Sequence, residues 1–302
     1  MQTILEKITQ LKKEKDAVIL AHYYVPDDVQ AISDFVGDSY FLSKKATEAP
    51  QQTILFCGVS FMGESAKILN PDKTILMADD KADCPMAHMV SIEKIKEIRN
   101  TYDDLAVVCY INSTAEIKSY SDVCVTSSNA VEIVTALPQK SIFFIPDKNL
   151  AHYIATQVPD KNFIYHDGYC PIHDRISPEA VVACKEKHPN AKILVHPECP
   201  PNVVALADYT GSTSGIIDFA TKDRGTEFII CTEEGIGYEL RQKNPQKTFL
   251  FPEKNQTCQD MKLITLEDIA NTLETGNNQV HLDEEMMKKA RHSLAKMHEI
   301  AK

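Results

Sequence analysis

The sequence lacks the features that mark secreted and membrane-spanning proteins. No run approaches the roughly 20 apolar residues that a transmembrane helix needs. The opening residues, MQTILEKITQLKKEKD, have no continuous apolar core of signal-peptide length. There is no CxxC pair, and the number of cysteines, nine, is odd. Both observations argue against a disulfide scaffold. We therefore expect a soluble protein of the reducing cytoplasm.

Positive charge is also scarce. The chain has 32 Lys and Arg against 43 Asp and Glu, which gives a formal net charge of -11. Nucleic acids and anionic membranes are bound by basic stripes, and this sequence has none. We expect neither partner. An acidic small molecule is still possible, because a pocket can be locally positive in an acidic protein.

Short apolar runs alternate with amphipathic stretches along the whole chain. The runs are AVILAHYY, QTILFCGV, LAVVCYI, SIFFIPD, AKILVHP and EFIICTE. Runs of this length and composition are typical of parallel strands covered on both faces. Between them lie stretches such as SIEKIKEIRNTY and SPEAVVACKEKH, which begin with good N-cap residues. The alternation predicts an α/β fold with parallel sheets.

One pattern occurs three times. The three copies are ILAHYYVPDDVQAISDFVGDS (19–39), VVCYINSTAEIKSYSDVCVTS (107–127) and ILVHPECPPNVVALADYTGST (193–213). His22, Tyr110 and His196 occupy equivalent places, and each precedes an Asp by 12 residues. A fixed period of this kind indicates repeated structural units.

The repeat predicts three homologous α/β units followed by a C-terminal segment. Each unit would be a three-layer αβα sandwich led by a helix, at 2–14, 91–102 and 177–188. The expected bounds are 1–88, 89–174 and 175–262, with a helical segment, 263–302, packing across the units. Identical units tend to close symmetrically, and parallel sheets bind ligands at the carboxyl ends of their strands. We therefore expect a pseudo-threefold arrangement around a central active-site cleft.

Only three of the nine cysteines, Cys84, Cys170 and Cys258, occupy an equivalent place in every repeat. Three thiolates suit a structural zinc ion if a fourth ligand is added, and His173 in GYCPIHD is the obvious candidate. They equally suit a 4Fe–4S cluster with one open iron. The polar cleft favours the reactive cluster, but spacing alone leaves both possibilities open. The corresponding alternatives are a small-anion-binding or sensor protein with a Cys3His zinc site, and an electron carrier, which normally needs four protein ligands.

The ends of the predicted strands carry paired polar residues. These are His22, Tyr24, Tyr110, Asn112, His196 and Glu198. Residues two apart on a strand point the same way, so the six side chains would share the cleft and suit proton transfer. Three polar turns, GDS (37–39), TSSN (126–129) and GSTSG (211–215), each precede a helix-like stretch. Ser or Thr capping a helix N-terminus makes an anion site, which suggests a dicarboxylate or a phosphate ester.

The sequence resembles the quinolinate synthase family of bacterial NAD biosynthesis from about residue 15 to residue 262. The motifs that carry the resemblance are ILAHYY, DFVGDS, FMGESAKILNP, CPMA, YINSTAE, TSSNAVEI, PDKNL, GYCPIH, HPECP, DYTGST and TEEGIGYEL. The resemblance implies three stacked α/β units with pseudo-threefold symmetry around a central cleft. It also implies a 4Fe–4S cluster on Cys84, Cys170 and Cys258, with one iron left for substrate.

The implied reaction condenses iminoaspartate with dihydroxyacetone phosphate and releases phosphate and two waters to give quinolinate. An L-aspartate oxidase or dehydrogenase would supply the iminoaspartate. The residues expected to hold substrate carboxylates are Ser127, Asn112, His196, Ser212 and Thr213. His22 and Ser39 would lie near the triose or its phosphate, and the expected proton-transfer residues are Tyr24, Tyr110 and Glu198. Lys222 is a further hypothesis for a pocket or gate residue. The segment NQTCQDM has a single cysteine, so it does not support a redox disulfide switch.

Overall fold

The apolar runs form three four-stranded parallel sheets within residues 2–301, the part of the chain that the computed structural model describes. The first sheet contains β1 (Ala17–His22), β2 (Phe35–Gly37), β3 (Thr53–Cys57) and β4 (Thr74–Met77). The second contains β5 (Leu105–Tyr110), β6 (Val123–Val125), β7 (Ser141–Ile145) and β8 (Asn162–Tyr165). The third contains β9 (Lys192–Val195), β10 (Tyr209–Thr210), β11 (Glu227–Cys231) and β12 (Thr248–Leu250). The strand orders are β2-β1-β3-β4, β6-β5-β7-β8 and β10-β9-β11-β12. One topology is therefore used three times.

Helices flank each sheet. With the first sheet lie α1 (Ile4–Glu14), α2 (Asp27–Ile32), α3 (Ser39–Glu48) and α4 (Ser60–Leu69). With the second lie α5 (Ile92–Thr101), α6 (Ala115–Ser119), α7 (Ala130–Ala136) and α8 (Lys148–Gln157). The short helix α9 (Pro171–Asp174) follows β8, and with the third sheet lie α10 (Pro178–Lys187), α11 (Pro201–Val204), α12 (Thr213–Lys222) and α13 (Ile236–Lys243). The chain continues into α14 (Leu266–Thr275) and α15 (Glu284–Ile300). None of the helices in residues 2–301 has the length and apolar character to cross a membrane.

The three sheets also share their strand register. The equivalent pairs of Cα partners at the ends of the central strands are Ala21 with Cys57, Cys109 with Ile145, and Val195 with Cys231. Ala21, Cys109 and Val195 are followed directly by His22, Tyr110 and His196, so these three side chains lie at the carboxyl ends of their sheets. The expected fold class of three repeated α/β units is confirmed, whereas the expected unit bounds stay a prediction.

The repeated aspartates have a structural role. The carboxylates of Asp34, Asp122 and Asp208 accept the backbone N–H groups of Ile19, Val107 and Ile193 at 2.8, 2.7 and 2.8 Å. Each aspartate also donates its own backbone N–H to the carbonyl of the same partner, at 3.0, 3.0 and 2.9 Å. These two hydrogen bonds join the residue that precedes β2, β6 or β10 to the neighbouring strand β1, β5 or β9 in every unit.

The hydrophobic core is continuous through the first two units and the C-terminal helices. In the third unit, the two faces of β11 bury side chains in separate clusters, with Phe228 and Ile230 on one side and Ile229 and Cys231 on the other. Helix α15 packs mainly against α6 and β6, and α14 packs against α1. The C-terminal helices therefore close the core that units one and two share.

Truncation of Leu294 tests this role of α15. Its side chain is fully buried in the shared core. Leu294→Ala is expected to lower the free energy of unfolding by about 2–5 kcal/mol, because it removes buried methyl groups and leaves a cavity. Leu263 is 42% exposed, so Leu263→Ala should change stability by no more than about 0.5 kcal/mol. Urea unfolding of both variants measures the difference, and equal stabilities would contradict the packing described.

Candidate active site

One pocket lies where the carboxyl ends of the three sheets meet, and it encloses about 690 Å³ including its mouth. Ligand pockets are commonly of this size. Its lining includes nine of the polar residues expected from the sequence: His22, Tyr24, Ser39, Tyr110, Asn112, Ser127, His196, Glu198 and Thr213. Cys84, Cys170 and Cys258 line the same pocket. The topology therefore brings together residues from all three units.

The histidines at the ends of β1 and β9 are held in the same way. His22 Nδ1 accepts the backbone N–H of Tyr24 at 3.2 Å, and His196 Nδ1 accepts that of Glu198 at 3.3 Å. Since Nδ1 accepts in both, the neutral ring carries its hydrogen on Nε2. His196 Nε2 lies 3.2 Å from Ser127 Oγ. Each imidazole therefore offers an N–H donor.

Burial keeps these imidazoles neutral. It lowers the pKa of His22 to about 3, and the nearby Lys262 ammonium adds to the effect. Burial also lowers the pKa of His196 well below its usual value, with His173 and His22 contributing. The two rings therefore act as uncharged hydrogen-bond donors at neutral pH. Their part in proton transfer stays a prediction.

The two tyrosines are protonated phenols. The Tyr24 hydroxyl lies 2.8 Å from Thr213 Oγ1 and 2.9 Å from Thr232 Oγ1. Burial raises the pKa of Tyr24 well above its usual value. Burial does the same to the pKa of Tyr110, and the Glu198 carboxylate raises it further. Both phenols therefore keep their protons at neutral pH and can donate hydrogen bonds.

Glu198 is the buried acid of the pocket. Its side chain is 3% exposed, and burial, with a further contribution from Asp147, raises its pKa well above the usual value. Its Oε2 lies 3.2 Å from His196 Nδ1 and 3.3 Å from His173 Nδ1. Its Oε1 has no hydrogen-bond partner, and neither does Asn112 Oδ1. Buried polar atoms are nearly always paired, so these two oxygens are available to a bound molecule.

The turns at the pocket correct part of the capping prediction. Asp38, not Ser39, caps α3: its Oδ1 accepts the Phe41 N–H at 3.0 Å, and its Oδ2 accepts the Ser214 hydroxyl at 2.6 Å. Helix α7 has Asn129 at its N-cap position and no side-chain cap. Only Ser212 fits the expectation, since its hydroxyl accepts the Gly215 N–H at 3.2 Å.

Two predicted residues lie outside the lining of this pocket. The Ser212 side chain caps α12, and Thr213 faces the pocket in its place. Lys222 lies at the end of α12 with its side chain 78% exposed, and it pairs with Asp218 at 3.3 Å. The hypothesis that Lys222 is a pocket residue is wrong, because its side chain extends into solvent.

The three equivalent cysteines are half-buried free thiols that line one pocket. A single zinc ion with Zn–S bonds of about 2.3 Å would need its sulfurs within about 4 Å of one another. The three thiols do not form a set within 4.8 Å, and of the three only Cys170 lies that close to His173 and Glu198. The Cys3His zinc site is therefore not supported. Three thiols set farther apart fit a group wider than one ion, such as an iron–sulfur cluster.

Carboxylates hold the backbone of all three cysteines. The N–H groups of Cys84, Cys170 and Cys258 donate to Asp83, Asp147 and Glu233 at 2.8, 3.1 and 3.1 Å. The side chains of Asp147 and Glu233 are fully buried. Burial raises the pKa of each of these two carboxyls to about 7.

These carboxylates were not predicted from the sequence, although a signal was present. Asp147 and Glu233 each stand two residues after the equivalent strand ends Ile145 and Cys231. This is the same spacing that identified the polar pairs on β1, β5 and β9. In the first unit Val59 occupies the equivalent position, and the N–H of Cys84 donates to Asp83 instead.

Three α/β units place three thiols, three imidazoles, two phenols and the buried carboxyl of Glu198 in one pocket, which is the set of side chains expected of an enzyme that binds a metal. Residues 6–299 match the family model of NadA, Quinolinate synthetase A protein. The chain belongs to this family.

Quinolinate synthases of three bacteria are similar to this chain over nearly its full length. A quinolinate synthase of Fusobacterium nucleatum is 54% identical over 98% of this chain and 99% of its own. A quinolinate synthase of Clostridioides difficile is 50% identical over 98% and 97%. One from Caldicellulosiruptor saccharolyticus is 46% identical over 100% and 99%.

Proposed function

We propose that this protein is a quinolinate synthase that condenses iminoaspartate with dihydroxyacetone phosphate and releases phosphate and two waters. The observation that carries the proposal is the pocket at the meeting point of the three sheets. Three thiols and the residues expected to transfer protons, Tyr24, Tyr110 and Glu198, line this one pocket. Family membership over residues 6–299 supports it. The function belongs to NAD biosynthesis.

Cys84, Cys170 and Cys258 would hold a 4Fe–4S cluster, and three protein ligands leave one of four irons open. When bound, such a cluster supplies a Lewis acid that polarises a substrate oxygen or nitrogen. The thiol separation, too wide for a single ion, supports this ligand set. Burial raises the pKa of Cys84 to about 12, so cluster binding has to displace thiol protons.

The remaining residues recognise anionic groups. His22 and His196 offer neutral N–H donors to phosphate or carboxylate oxygens, and Ser127 extends the donor set beside His196. Asn112 and Thr213 complete the carboxylate contacts, and Ser212 supports Thr213 by capping the same helix. Ser39 would contact the triose or its phosphate, together with His22.

Proton transfer is assigned to Tyr24, Tyr110 and Glu198. Burial raises the pKa of all three groups and so favours their protonated forms, in which they would supply protons to leaving hydroxyl groups. Because each pKa is raised, each group would act first as an acid. It could act as a base only after it had given up its proton. Dehydration and imine closure both require such donors.

The wider setting follows from the substrate. Iminoaspartate forms by oxidation of aspartate, so an L-aspartate oxidase or dehydrogenase would be the functional partner. Both substrates are small cytoplasmic metabolites, and we place the protein there. The unit bounds 1–88, 89–174 and 175–262, with the C-terminal segment 263–302, remain our division of the chain.

Quinolinate formation tests the function. Anaerobically purified protein is supplied with dihydroxyacetone phosphate and iminoaspartate made in situ, and the products are analysed by mass spectrometry. We expect quinolinate and one phosphate per turnover. Phosphate release without quinolinate, or neither product from protein that contains its cluster, would contradict the proposal.

Asp147→Asn tests the carboxylates behind the cysteines. Asp147 accepts two N–H groups, those of Cys170 and Leu150, at 3.1 and 2.7 Å. An amide has only one oxygen, so one bond is lost. We expect iron to leave for a chelator about tenfold faster, as for other residues that orient metal ligands.

Asp122→Asn is the matched control, because it makes the same exchange of carboxylate for amide at a residue that accepts the Val107 N–H and does not line the pocket. It should lower stability without changing the rate of iron release. Equal rates for the Asp147 and Asp122 variants would show that Asp147 stabilises the fold only.

A further inference from the structure

A second set of metal-ligand atoms overlaps the cysteine site. The thiol of Cys170, the ring of His173 and the carboxyl of Glu198 each place one ligand atom within 4.8 Å of the others. Cys170 Sγ lies 3.2 Å from His173 Nδ1, and this nitrogen lies 3.3 Å from Glu198 Oε2. The side chains of His173 and Glu198 are nearly fully buried.

These separations match a single tetrahedral ion. Zinc bonds of about 2.0–2.3 Å to N, O and S place neighbouring ligand atoms about 3.3–3.8 Å apart. The observed separations of 3.2 and 3.3 Å are close to this range. Sulfur, imidazole nitrogen and carboxylate oxygen are also the donors that zinc prefers.

Two further observations support a metal site. His173 Nε2 lies 2.8 Å from Thr232 Oγ1, which fixes the ring with Nδ1 facing the thiol, as outer contacts do at metal sites. Glu198 Oε1 is buried without a hydrogen-bond partner. The carboxyl therefore has one oxygen with no hydrogen bond to give up when Glu198 binds a cation.

We propose that Cys170, His173 and Glu198 form a mononuclear zinc site in the cluster-free protein, and that zinc there excludes the cluster. The exclusion rests on the proposed function, because it requires Cys170 to be a cluster ligand as well. One thiolate cannot complete both sites. Zinc would also occupy Glu198 and so block substrate. The site thus makes cluster assembly sensitive to the ratio of zinc to iron.

Zinc titration of the cluster-free full chain against a chromophoric chelator tests the site. We expect one zinc per chain. Cys170→Ser, His173→Gln and Glu198→Gln should each weaken binding at least tenfold, while Cys84→Ser and Cys258→Ser keep the wild-type affinity. Equal losses in all three cysteine variants, or no zinc binding by the wild type, would overturn the proposed ligand set. Near-ultraviolet circular dichroism of each variant verifies that it is folded.

Cluster reconstitution tests the exclusion. One equivalent of zinc added before iron and sulfide should lower cluster yield severalfold in the wild type and much less in His173→Gln. An unchanged wild-type yield would overturn the exclusion. Failure of the zinc-free wild type to form any cluster would instead overturn the proposed function, and the exclusion with it, whereas the zinc titration still tests the mononuclear site by itself.

Discussion

Cys84→Ser, Cys170→Ser and Cys258→Ser are each expected to abolish the iron–sulfur cluster and quinolinate formation. The three residues line one pocket, and serine replaces a soft thiolate with a hydroxyl that binds iron poorly. Loss of a Lewis acid worth several kcal/mol lowers the rate on the order of 10³-fold or more. Iron and sulfide analysis, the visible spectrum and the quinolinate assay measure the effect under anaerobic conditions.

Cys184→Ser is the matched control. Cys184 is half-buried like the three proposed ligands, but it lies on α10 and does not line the pocket. It should retain the cluster and full activity. If a variant of Cys84, Cys170 or Cys258 kept four irons and wild-type activity, the substituted cysteine would not be a cluster ligand.

Glu198→Gln is expected to lower kcat for quinolinate formation by about 10²–10³-fold, because an amide cannot give up the proton that general acid catalysis needs. The substitution keeps the size of the side chain. It also keeps an oxygen near His173 and His196, which lie 3.3 and 3.2 Å from Glu198 Oε2. Iron content should stay at the wild-type value, so the loss would be in chemistry and not in cofactor.

Steady-state kinetics and iron analysis on the same preparation separate these quantities. Glu227→Gln is a suitable control, since Glu227 faces His188 at 3.8 Å and does not line the pocket. It should leave kcat unchanged. If Glu198→Gln lost iron in proportion to activity, Glu198 would be needed to hold the cysteine site and would not be an acid in the reaction.

Much of the fold could be predicted because the repeat carries both the order and the spacing of its elements. The helix expected at 91–102 is observed at Ile92–Thr101, with the Ser91 hydroxyl accepting the Lys94 N–H at 3.2 Å. The helix expected at 177–188 begins after Ser177, which caps it in the same way. Strand runs followed by cap residues leave little freedom in where such elements begin.

The cap at the first polar turn was harder to predict. Asp38 and Ser39 are both good N-cap residues. Asp38 takes the position because its backbone is extended, with φ -80° and ψ 174°. Sequence gives no measure of which of two adjacent residues first becomes helical. The consequence is chemical, since a carboxylate instead of a hydroxyl lies at the entrance of α3.

The shared strand-end position explains which site residues were found. His22 and Glu198 could be predicted because residues two apart at a strand end point into the same cleft. Asp147 and Glu233 follow the same rule on β7 and β11, but the first unit has Val59 at the equivalent position, so the repeat does not single them out. Distances between sulfurs lie beyond sequence reasoning, because they depend on how three separate units pack.

Mössbauer spectroscopy of ⁵⁷Fe-labelled protein, recorded with and without quinolinate, shows whether three cysteines hold a four-iron cluster with one open iron. We expect four irons per chain in a three-to-one pattern, with only the single iron changing its signal when quinolinate binds, since Cys84, Cys170 and Cys258 would hold the other three. Four equivalent irons that do not respond to quinolinate would contradict it.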